Sequence, residues 1–135
     1  MRTLLRYMFL PLMVGILIFT GTCLISPGNV PDMPDRISWD KLAHFGLFFL
    51  LSFVSLYYYD KLHSGAPAFG KWIFWGVILP VLYGGVIELL QKFLFTSRSA
   101  EWGDWIADIA GSLTALLLAI ICLRKRKKSI NNISL

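Results

Sequence analysis

WIADIAGSLTALLLAIICL, residues 105–123, carries one charged side chain, Asp108, and runs straight into RKRKK at residues 124–128. An apolar stretch of this length matches the ~20 helical residues that cross a hydrocarbon core. A block of cations directly after it is the usual mark of a cytoplasmic helix end. Working outward toward the N-terminus, three further stretches read the same way, at residues 7–25, 42–59 and 72–90. The chain has 135 residues, of which 56% are hydrophobic and 15% aromatic, with a mean hydropathy of +0.64. A soluble domain this small has too little interior to hide that much apolar surface. The expected fold is therefore an all-α membrane protein, a four-helix transmembrane bundle forming a single domain over 1–135, with residues 124–135 as a basic tail. Connections are short and no internal repeat is present, so function must reside in the bundle or its loops.

Arg2 and Arg6 precede the first apolar stretch, as in a signal peptide. The stretch is longer than a signal h-region, however, and no A-x-A site follows it. Phe19, Thr20, Gly21 and Thr22, ahead of Cys23, also lack the leucine of a lipoprotein signal. The segment is expected to remain as the first helix, with Pro11 in its early turns, where a missing backbone donor costs least. Cys23 and Cys122 fall at opposite ends of the predicted bundle, which excludes a disulfide between them.

The net charge of +5 does not indicate nucleic acid, because the cations segregate by side. Arg2, Arg6, Lys61, Lys71 and the run from Arg124 to Lys128 fall at one face, and Arg36, Lys41, Lys92 and Arg98 at the other. The positive-inside rule places both termini and the loop of residues 60–71 in the cytoplasm. The basic run is then topogenic and suited to anionic lipid. Trp39, Trp72, Trp75, Trp102 and Trp105 sit near predicted span ends, as interfacial belts do. Of the eight acidic residues only Asp60 lies on the cytoplasmic side, which the orientation rule does not require.

The outer-side acids fall in a pattern. DKLAHFGLFFLL opens the second span with Asp40 and His44 four apart on one face and Lys41 beside them. YGGVIELLQKF puts Glu88 and Gln91 on one face of the third span, after a Pro80 expected to bend it, with Gly84 one turn from Glu88. TSRSAEWGDWIADIAGS supplies Arg98 and Glu101, then Asp104 and Asp108 four apart, with Gly111 further in. Three helices thus bring polar faces to one depth. A charge at a helix centre costs roughly 2.5–3.5 kcal/mol on insertion scales, so Glu88 and Asp108 should face the interior. A purely structural alternative pairs Glu88 with Arg98 and uses Asp104 as the cap of the fourth helix.

Together, Asp40, Lys41 and His44, then Glu88 and Gln91, Arg98, Asp104, Asp108 and Gly111 resemble the VanZ-like membrane protein family over roughly residues 40–111. Many members of that family carry Asn where this chain has Asp108. The resemblance implies an integral cell-envelope protein, with a link to resistance to the glycopeptide teicoplanin, and brings no reaction with it.

Two functions follow from these residues. In one, a lipid or lipid-linked envelope intermediate enters sideways between helices. Arg98, Lys41, Gln91 and Asp40 bind its head, and Glu88, Asp104, Asp108 and His44 act as acid–base groups of an intramembrane lipid-modifying enzyme. In the other, the same residues hold together a noncatalytic interaction module. No cofactor is expected, a divalent metal on Glu88, Asp104, Asp108 and His44 being the alternative without any required ligand spacing. The expected location is the bacterial plasma membrane, the expected partner a membrane lipid, and neither nucleic acid nor a particular protein partner is implied.

Overall fold

The computed structural model describes residues 2–24, 39–95 and 101–133. Among them the long regular elements are all helical, and four helices are long and apolar enough to cross a membrane: Tyr7–Leu24, Trp39–Leu62, Phe69–Phe93 and Trp102–Leu123. We call these spans one to four. Each of the last three begins three residues before its apolar core, because its first turn includes polar or aromatic groups that a count of uncharged positions leaves out.

Span one belongs to a helix over Arg2–Phe19 that closes in a wide π turn at Thr20–Leu24. Because this helix starts at Arg2, ahead of the apolar run, Pro11 is an interior proline and not a first-turn one. The hydroxyls of Thr20 and Thr22 donate to the carbonyls of Ile16 and Ile18, at 2.9 and 2.8 Å. Span two ends where the Gly65 amide donates to the Asp60 carbonyl, at 2.9 Å. Ser64 and Gly65 are both left-handed there, with φ of 54° and 78°, which reverses the chain toward span three.

Span three is composite, with α-helix at Phe69–Ile73 and Leu79–Phe93 joined by a π turn at Phe74–Ile78. Pro80 has no amide to donate and its ring crowds the carbonyl one turn earlier, so the wide turn just before it relieves both defects. The irregularity expected at Pro80 takes this form. Span four continues without a break to Ile133, so the basic segment prolongs the helix, as the good helix propensity of Lys and Arg allows.

Spans two and four make the most extensive contact in the bundle. Gly111 permits it, because a Cβ there would collide with the backbone of Phe45 and Phe49. One apolar core gathers Ile18, Cys23, Phe48, Leu51 and Ile87, and a second, nearer the other end, gathers Leu56, Trp72, Val77 and Ala119. Trp72 is 2% exposed and donates from its indole to the Leu56 carbonyl at 2.9 Å. It is a core residue, contrary to the expected belt position, because the close approach of Gly76 to Leu56 draws it inward. Trp39, Trp75 and Trp102 are exposed, as a belt requires. Only 17–33% of each span's apolar window is buried, so Phe9, Leu12, Leu82, Ile106 and Leu117 are among the side chains left to face lipid.

Candidate functional site

The start of span two, the last turns of span three and the start of span four meet at one end of the bundle. The i, i+4 spacing that puts Asp40 above His44 does the same for Asp104, Asp108 and Ser112. His44 and Asp108 face each other across the two most closely packed helices, with Nδ1 and Oδ1 2.9 Å apart. Both side chains are enclosed, at 1% and 0% exposure. The other carboxylate oxygen of Asp108 reaches over Gly84, where a Cβ would collide with it and crowd the Phe48 ring. Glycine at position 84 therefore makes room for a side chain that arrives from span four.

Glu88 lies one turn beyond Gly84. Its Oε2 accepts from the backbone amide of Glu101 at 3.2 Å, which ties the entry of span four to span three. Lys41 reaches back from span two, with Nζ 2.7 Å from Glu101 and 3.5 Å from Asp104. Asp104 is the third residue of its helix and its side chain is buried against Lys41. It does not take the capping role of the structural alternative, because the helix begins at Trp102, ahead of it. Gln91 turns toward span one and donates from Nε2 to the Thr22 carbonyl at 2.8 Å.

The structure thus gathers Asp40, Lys41, His44, Glu88, Asp104 and Asp108 at one end and places Gln91 at the seam with span one. Arg98, with its neighbours Ser97 and Ser99, lies outside the described residues. Glu101 was named in the sequence only as a loop acid, yet it contacts both Lys41 and Glu88. Ser112 and Ser52, both fully buried and with hydroxyls that have no hydrogen-bond partner among the described residues, were not singled out. Their signal was present in the spacing, since Ser112 follows Asp108 by one turn and Ser52 follows His44 by two.

Among the described residues, His44 Nε2, Glu88 Oε1 and Asp108 Oδ2 are enclosed without a hydrogen-bond partner. The groups able to ligate a metal form two sets that share His44, one with Asp40 and Asp104 and one with Glu88 and Asp108. Within each set the ligand atoms lie within 4.8 Å of one another. A cavity of about 480 Å³ runs between spans three and four. Leu82, Val86, Leu89, Trp102 and Trp105 give it an apolar wall, and Glu88 and Glu101 form part of its lining.

No protein-family model matches the chain, and no solved structure matches it. The chain is similar to an uncharacterized protein of the fission yeast Schizosaccharomyces pombe, with 32% identity over 104 residues. That alignment takes in 76% of this chain and spans 59% of the relative's length.

Proposed function

We propose that this chain is a multi-pass protein of the bacterial plasma membrane, with both termini cytoplasmic, that binds the polar head of a lipid or lipid-linked intermediate and acts on it by acid–base chemistry. The observation that carries the reading is the lateral apolar cavity with Glu88 in its lining and the buried His44–Asp108 pair close behind. An acyl chain fits the apolar wall, and the head then lies against the carboxylates. Asp108 fixes the imidazole through Nδ1 and leaves Nε2 to take or give a proton. Glu88 is the second acid–base group. Arg98 supplies a cation for an anionic head, while Lys41 acts by holding Glu101 and Asp104 in place. The orientation rests on nine cations at one face against four at the other.

The resemblance to VanZ-like proteins makes teicoplanin susceptibility a phenotype worth assaying. A second reading, a noncatalytic module, is favoured by one observation: the ties of Lys41, His44, Gln91 and Glu88 all run between different spans or their entries.

Native mass spectrometry of the detergent-purified chain separates the two. Wild type is expected to carry a lipid of defined mass. Gly85→Leu, which fills the cavity lining, is expected to lose it, and Gly46→Leu, at an open position, to retain it. Equal lipid retention in all three would defeat the proposal. Glu88→Gln and His44→Gln are expected to abolish function with folded yield unchanged, whereas a structural role makes yield and function fall together.

A further inference from the structure

Buried carboxylates in an apolar bundle need compensating charge. Among the described residues, the ammonium of Lys41 goes to Glu101 and Asp104, and no Lys or Arg pairs with Glu88 or Asp108. What those two carboxylates share is His44, 1% exposed and held between spans two and four. Each of the three residues also has an enclosed atom without a hydrogen-bond partner among the described residues: His44 Nε2, Glu88 Oε1 and Asp108 Oδ2. Unsatisfied polar atoms are costly where no water is available, and three neighbouring residues from three helices that each carry one call for a common partner.

We propose that His44, Glu88 and Asp108 hold one divalent transition-metal cation of the zinc or manganese type. Their ligand atoms already lie within 4.8 Å of one another. Ligands at about 2.0–2.2 Å around a tetrahedral ion stand about 3.4 Å apart, so side-chain adjustment of roughly an ångström completes the set. The two charges of the ion match the two carboxylates that no Lys or Arg among the described residues pairs with. One imidazole with two carboxylates suits zinc or manganese better than calcium or magnesium, which take oxygen alone. Asp40 and Asp104, which form the overlapping set with His44, stand ready to accept hydrogen bonds from metal-bound water.

Three protein ligands leave a position open, and because Glu88 also lines the lateral cavity, that position is reachable from the groove. On the lipid reading proposed above, the open position takes a phosphate oxygen of the lipid head. A cation thereby reconciles a cluster of acids with an anionic ligand. The metal site itself does not depend on that reading; with the ion bound, His44 and Glu88 would serve as its ligands and the proton-transfer role would pass to metal-bound water beside Asp40 and Asp104.

The test is elemental analysis of the full chain purified without chelator, with native mass spectrometry of the same sample. Wild type is expected to hold about one zinc or manganese per chain, to lose thermal stability on chelation and to regain it when Zn²⁺ or Mn²⁺ is restored. Glu88→Gln and His44→Gln are expected to retain at least about tenfold less metal while eluting as folded protein, with Lys92→Ala unchanged. Should His44→Gln fail to fold, the chelation and restoration arms on wild type decide. Wild type without metal and without a thermal response to either ion overturns the proposal, as does full metal retention by both folded variants. Lipid and metal give separate mass shifts. Metal-free wild type that keeps its lipid overturns the metal alone, and metallated protein without lipid upholds the metal and overturns the lipid reading.

Discussion

At the scale of single residues, the glycines of spans three and four do different work. A Cβ at Gly111 would meet the backbone of Phe45 and Phe49, which cannot move aside without separating spans two and four. Gly111→Ala is expected to cost about 1–3 kcal/mol, the usual penalty for overpacking, read as a lowered thermal midpoint in detergent. Gly46→Ala, with nothing within 4 Å, is expected to leave the midpoint unchanged or raise it slightly. At Gly84 the neighbour is the carboxylate of Asp108, a movable group. Gly84→Ala is therefore expected to spare the fold and to displace Asp108 from His44, with function lost at near-normal abundance. Gly84 and Gly111 were legible as small residues one turn from an acid. What each makes room for was not, because spacing along one helix says nothing about the atom that arrives from another.

At the scale of elements, hydropathy found all four spans because lipid imposes one requirement on every crossing segment, and that requirement is written in consecutive residues. The π turn at Phe74–Ile78 was foreshadowed by Pro80 alone, since a proline announces a defect without choosing how the backbone absorbs it. Gln91 was equally compatible with ligand contact and helix pairing. Its bond to the Thr22 carbonyl makes it the link between span three and the π turn that closes span one. Gln91→Leu is expected to cost roughly 0.6–1.7 kcal/mol, the range for hydrogen bonds between membrane helices, and to loosen the end of span one locally. Cys23, 4% exposed beside this seam, reports the change. In a Cys122→Ser background, maleimide labelling of Cys23 should accelerate in Gln91→Leu, and an unchanged rate would mean that the bond does not fasten span one.

At the scale of the whole molecule, the convergence of three polar faces could be argued only from the need to hide charge from lipid, because hydropathy carries no information on helix rotation or neighbour order. The structure meets that need with His44, Asp104 and Asp108 enclosed and the apolar residues turned outward. Trp39 and Trp102 are exposed at the polar end and Trp75 near the other, where interfacial rings are expected, and this predicts how deep the site lies relative to a membrane surface. Reconstituted in bilayers, the protein should lose more tryptophan emission to lipids brominated near the headgroup than to lipids brominated near the chain end, by roughly twofold. A variant keeping only the buried Trp72 should be quenched little by either. Stronger quenching by the deep bromines would move Trp39 and Trp102 toward the bilayer centre, and with them the start of spans two and four. The His44 and Asp108 pair would then lie beyond the reach of a lipid headgroup, and the lateral cavity could no longer deliver one to it.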